Sequence, residues 1–170
     1  MAWKYKLLVV ANVTGSSPEL IQALKARAAK DSCAFTLLIP ATGGGTGGRE
    51  AATGRLETAL ELIRAEGLEI EGRVGDADPV AAVSDVWDPG EFDEAIVSTL
   101  PTGSSKWLAI DLPHRVEKMT GVQVTHVVAE PPKEEAKAEH VPEPERYGVL
   151  SPFAALVPKA RRAASRALGR

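Results

Sequence analysis

Apolar and polar positions along this chain fall into alternating short runs and helical faces. Tyr5 to Val13 is a nearly continuous apolar run rich in Leu and Val, the pattern of a strand buried on both sides in a parallel sheet. Ser17-Pro18 then supplies an N-cap with proline at the first helical position, and Leu20, Ile21, Leu24 and Ala28 share one face of a helix reaching about Lys30. Ala34 to Ile39 reads as a second strand ended by Pro40, and the glycine-dense Thr42 to Gly48 as loop. From Arg49 to Glu66, Ala52, Leu56, Ala59, Leu60 and Ile63 recur at helical spacing, and Gly67 stands where a C-terminal cap belongs.

The second half repeats the alternation. Leu68 to Val74 is a third strand, and Asp78-Pro79 opens a short helix carrying Val80, Val83 and Val86 that ends near Asp88-Pro89-Gly90. Glu94 to Thr99 is a fourth strand; Leu108, Leu112, Val116 and Met119 make one helical face; Val122 to Val128 is a fifth strand. Strict alternation of strand and helix implies right-handed crossovers and an α/β, doubly wound, five-stranded, mostly parallel sheet of Rossmann-like type. In such sheets ligands bind at the carboxyl ends of the strands, which here points above the first and fourth.

Composition sets the boundaries. Of 170 residues, 44% are hydrophobic and 25% charged, an ordinary globular balance. Large apolar residues almost vanish between Glu130 and Arg146, so the domain is expected to span residues 1–129. A Pro-, Glu- and Lys-rich linker is expected over 130–146 and a basic tail over 147–170. No apolar run approaches the roughly 20 residues of a membrane helix, so a cytoplasmic protein is expected. The net charge of −3 gives no general attraction to nucleic acid.

Candidate chemistry is sparse. Gly43 to Gly48 formally contains a GxGxxG match, yet no strand-end acidic residue follows about 20 positions later, and Gly48 is followed by Arg49-Glu50 rather than a Walker lysine. A flexible loop is the favoured reading. His114, His126 and His140 are isolated and Cys33 is the sole cysteine, so neither metal-ligand spacing nor a nucleophile–base pair is visible, and no enzyme is expected. Gly103, Ser104 and Ser105 offer N–H and hydroxyl donors, with Lys106, His114 and Arg115 close by. That segment reads first as a polar capping turn, with an anion site as the alternative.

Asn12 to Pro18, Arg73-Val74-Gly75-Asp76 and Ala95 to Thr99 together resemble the universal stress protein family over Lys4 to Val128. The resemblance implies a five-stranded parallel sheet, homodimerisation through the last strand (here Val122 to Val128) and, in one branch, ATP binding. That branch's glycine-rich signature spacing falls on Ser98, Pro101, Asp111 and Leu112, and Asn12 stands where the family often has aspartate. By resemblance and position the candidate nucleotide-binding residues are Asn12, Val13, Ile39, Ser98, Thr99, Pro101, Gly103, Ser104, Ser105, Lys106, Asp111 and Leu112.

Asp111 lies two residues before Pro113 and is expected to cap the following helix with its own carboxylate, placing a fixed anion where phosphate would sit. Such repulsion costs on the order of 1–4 kcal/mol at about 4 Å. The expected function is a non-enzymatic binding or regulatory domain that takes ATP, another nucleotide or a phosphate ligand weakly. The alternative is a protein-interaction module whose pocket is closed by Asp111 and Pro101, acting on an unknown protein partner through its dimer surface and basic tail.

Overall fold

The computed structural model describes residues 3–130; the basic tail and all but the first residue of the expected linker lie outside the described residues. Five strands form one sheet: β1 (Tyr5–Val10), β2 (Cys33–Pro40), β3 (Ile70–Gly75), β4 (Glu94–Thr99) and β5 (Val124–Val128). Their order is β3-β2-β1-β4-β5 and every pairing is parallel. Between them run α1 (Pro18–Ala28), α2 (Gly45–Ala65), α3 (Pro79–Val86), α4 (Lys106–Ala109) and α5 (Leu112–Thr120).

Side chains alternate across a pleated strand, so a strand buried on both sides feeds two cores. Leu7 and Val9 of β1 join Phe35, Leu37 and Ile39 against Leu20 and Leu24 of α1 and Ala52, Leu56, Ala59 and Ile63 of α2. Leu8 and Val10 join Leu38, Ala95 and Val97 against Ala82 and Val83 of α3, together with Trp107, Leu112 and Val116. The helices therefore divide between the two faces, the doubly wound arrangement that the alternation implies. Both proline-led helix starts are capped: Ser17 Oγ accepts from the Leu20 N–H at 3.3 Å, and Asp78 Oδ1 from Val80 and Ala81 at 2.8 and 2.9 Å.

Two local expectations are corrected. The glycine run is not loop throughout, because α2 already begins at Gly45. Gly43, Gly44 and Gly45 carry the chain through left-handed φ values of 104°, 68° and 63°, which only glycine tolerates in succession. Gly48 then sits in the first turn where a Cβ would lie 3.0 Å from the Ala41 carbonyl oxygen, so its missing side chain lets the helix start directly against the exit of β2.

The last helical face is also not one helix: α4 stops at Ala109, and α5 restarts at Leu112 after Asp111 with φ 53° and ψ 47°. Its side chain makes no capping hydrogen bond, contrary to expectation, because the left-handed backbone replaces the extended cap geometry that aims a carboxylate at the helix N–H groups. Asp111 is the sole non-glycine residue with positive φ among the described residues, at a position where the signature spacing calls for glycine. A side chain in this region costs roughly 1–2 kcal/mol, least for Asp and Asn. Asp111→Gly is accordingly expected to leave urea stability unchanged or raise it, whereas Asp111→Val loses about 1–2 kcal/mol. Equal stability of the two variants would show that the backbone is not held left-handed.

Candidate functional site

The strand order reverses direction at β1, whose neighbours β2 and β4 are reached from opposite faces. Such a switch point opens a crevice beyond the carboxyl ends of the two central strands. Here it is a pocket of about 370 Å³. Asn12, Val13 and Thr14 line it from the β1 exit, Thr42 and Gly43 from the β2 exit, and Arg55 from α2. Ser98, Thr99, Leu100 and Ser104 to Trp107 complete it from the β4 exit.

Its floor is tied together by side-chain bonds. Ser98 Oγ donates to Thr14 Oγ1 at 2.9 Å, and Thr14 Oγ1 donates to the Ser98 carbonyl at 3.3 Å, both residues being buried. These bonds lock the two central strand exits to each other. On one side Asn12 Nδ2 donates to Thr42 Oγ1 at 2.8 Å, while Arg55 Nη1 reaches Asn12 Oδ1 at 3.4 Å. One asparagine thus joins the β1 exit, the β2 exit and α2. On the other side Ser105 Oγ caps α4 through the Leu108 N–H at 3.2 Å, fixing the turn that presents Ser104 and Lys106.

Thr99 Oγ1 donates to the Leu100 carbonyl at 3.0 Å and lies 2.7 Å from His126 Nε2 on β5. A hydroxyl has one proton, so with that proton on Leu100 the imidazole Nε2 carries its own and donates to Thr99.

Of the residues singled out from sequence, Asn12, Val13, Ser98, Thr99, Ser104, Ser105 and Lys106 meet at this pocket. Ile39 and Leu112 are fully buried, one in each core. Gly103 forms the turn tip at φ 94°, and the Pro101 carbonyl accepts from Ser104 and Ser105 at 3.1 and 3.2 Å. Neither of these, nor Asp111, lines the crevice. The anion expected at the phosphate position is absent from the lining, and so is the proline expected to close it. Thr14, Thr42, Gly43, Arg55, Leu100 and Trp107 were not foreseen as lining residues. Glycine density was the one usable signal for Gly43, while Arg55 sits among polar positions of a long helix with nothing to mark it.

Among the described residues, the titratable side chains lining the crevice are those of Arg55 and Lys106. The titratable groups with shifted acidity lie instead at the amino ends of the strands. There Arg27 bonds Glu94 at 2.7 Å and Asp31 at 2.8 Å, hydrogen bonds that push its acidity constant further up, and its guanidinium stands 4.9 Å over the Tyr5 ring. Burial pushes the neighbouring Cys33 thiol up. This cluster joins α1 to β4 at the end of the sheet opposite the crevice. Among the described residues no group of three or more His, Cys, Asp or Glu could hold a metal ion, and no helix is long and apolar enough to cross a membrane.

No protein-family model and no curated protein matches this chain. Solved structures do. A universal stress protein in complex with cAMP superposes with a TM-score of 0.56 at 19% identity, over 76% of this chain and 100% of that one. The universal stress protein from Archaeoglobus fulgidus gives 0.53 at 18% identity, over 72% and 93%. The same organism's universal stress protein in complex with dAMP gives 0.56 at 14% identity, over 75% and 99%. The chain therefore has the universal stress protein fold.

Proposed function

We propose that this chain is a non-enzymatic, nucleotide-binding domain whose ligand lies in the crevice between the exits of β1 and β4. The observation that carries the reading is the crevice itself: an open pocket at the switch point, floored by bonded hydroxyls and lined by Arg55 and Lys106. Two proteins of this fold are solved with cAMP and dAMP. Neither Asp111 nor Pro101 lines the crevice, so the occlusion on which a pure interaction module would rest has no support in the fold.

The test is direct. Purified full-length protein should bind adenosine nucleotides in calorimetry, with a matching change in the fluorescence of Trp107, which lines the pocket. Ser104→Phe, at an exposed lining position, should weaken binding strongly while leaving the circular dichroism of the fold unchanged. Failure of every nucleotide to bind at millimolar concentration would overturn the proposal.

The same reading includes a homodimer through β5, which pairs only with β4 among the described residues and leaves a strand edge whose Val128 is 49% exposed. Val124 and Val127 are committed to the two cores, so Val128→Lys is the substitution that probes the edge without cutting into the fold. Sedimentation should show a dimer that this variant weakens. A monomer at high micromolar concentration would overturn it.

A further inference from the structure

We infer that Arg64 closes the β3 edge of the sheet to strand addition, so that copies of this chain associate edge to edge only through β5; the second half rests on the dimer reading above. A sheet in the order β3-β2-β1-β4-β5 has two outer strands, and each carries backbone groups that its inner neighbour does not use. The register identifies them. The Phe35 N–H of β2 bonds the Glu69 carbonyl and the Ala41 N–H bonds that of Gly75, so Glu69, Glu71, Arg73 and Gly75 face β2. The alternate residues Ile70, Gly72 and Val74 therefore turn their N–H and C=O groups outward. On the other side the Ala95 N–H bonds the Gln123 carbonyl and the Ala129 N–H bonds that of Thr99, which turns Val124, His126 and Val128 outward.

The two edges differ in what meets those groups. Arg64, in the last turn of α2, donates from Nε and Nη2 to the outward Ile70 carbonyl at 3.2 and 2.9 Å. A strand joining β3 would run about 4.8 Å from it, through the place this fork occupies. Pairing there requires the guanidinium to leave the carbonyl, or the strand to use Gly72 and Val74 alone. Glu71 and Arg73, bonded to each other at 3.4 Å, add charged side chains along the same strand, a further obstacle to a neighbouring chain. On β5 no side chain among the described residues bonds the outward groups of Val124, His126 or Val128. Val124–Val128 also contains no Asp, Glu, Lys or Arg.

The experiment is sedimentation of the full chain up to high micromolar concentration, with circular dichroism as the check on folding and hydrogen exchange read at the Gly72 and Val74 amides. In the parent those two amides should exchange as freely as exposed backbone does. Arg64→Ala should form species of at least twice the parent's mass, their share rising with concentration, because a second edge is open. In the associated form the Gly72 and Val74 amides should become protected, and adding Val128→Lys should not remove that protection. Arg64→Lys, which keeps a donor for the Ile70 carbonyl, should restore part of the parent's behaviour. Arg49→Ala, which removes a charge elsewhere on α2, should change nothing. Folded Arg64→Ala that sediments as the parent does, or that associates without protecting those amides, overturns the inference. So does protection of the same amides in the parent, which would mean that the edge is already covered and needs no folded variant to show it. A monomeric parent overturns only the dimer through β5, since a step from monomer to dimer in Arg64→Ala still reports the opened β3 edge.

Discussion

Leu37→Ala is expected to lower the free energy of unfolding by about 2–5 kcal/mol, the range for deleting a buried leucine side chain. Leu37 is fully buried in the core between the sheet and α1 and α2. The cost within that range depends on whether neighbours can close the hole. Leu37 is flanked in the sheet by Val9 and Gly72, and the space above Gly72 is already filled, since a Cβ there would meet Leu56 Cδ1 at 2.7 Å and Leu60 Cδ1 at 2.8 Å. Those leucines are committed and cannot swing into the vacancy without opening another. The sheet cannot sag toward α2 either, because its other face is held by α3 and α5. The loss should therefore fall in the upper half of the range, with a fall in melting temperature on the order of 10 °C or more. Urea denaturation should show a lower midpoint at unchanged slope. A loss under about 1 kcal/mol would mean that the layers close freely.

The layered fold was legible because its signals are local. Ser17-Pro18 and Asp78-Pro79 start helices for reasons contained within four residues, and both caps form as expected. Strands with apolar residues at every position, such as Leu7 to Val10, announce burial on two sides. Misreadings arose where a distant contact overrides a local preference. Glycine is a poor helix former, yet Gly45 to Gly48 are helical, and Gly48 earns its place by meeting the Ala41 carbonyl rather than by propensity. Leu108, Leu112 and Val116 keep helical spacing straight across Asp111, so periodicity alone could not show the break there.

The site was legible to the same extent. Residues at strand exits follow from topology, and that placed Asn12, Ser98 and Thr99 correctly at the carboxyl ends of β1 and β4. Arg55 projects from a helix 43 positions beyond Asn12 and His126 meets Thr99 from 27 positions away. Neither pairing leaves a trace in spacing, because the crossovers that create them have no fixed length. Asp111 was read into the crevice because its sequence position matches the phosphate-binding spacing, but it is not among the lining residues.

Opposite signs are expected for the same chemical change at two glycines, Gly75→Ala and Gly54→Ala. Gly75 closes β3 without a positive φ, so conformational freedom is not its reason for being there. A Cβ at that position would stand 2.6 Å from Ala82 Cβ, 2.9 Å from Leu38 Cδ1 and 3.3 Å from Ala82 Cα. Ala82 is fully buried on α3 and has no flexible end to move aside, so the helix itself must shift. Overpacking of this kind costs about 1–3 kcal/mol. Gly54 lies inside α2 with nothing within 4 Å of its would-be Cβ, and alanine there should add about 0.5–1 kcal/mol through helix propensity. The Gly75 carbonyl also accepts from the Ala41 N–H at 3.2 Å, just before Thr42 in the crevice wall, so displacing it should weaken ligand binding as well as stability. Denaturation of both variants beside the parent, with nucleotide titration of each, measures the two effects together. Two stabilising substitutions, or a Gly75→Ala protein with parental stability and affinity, would show that α3 is free to ride on the sheet and that the contact with β3 does not position the β2 exit.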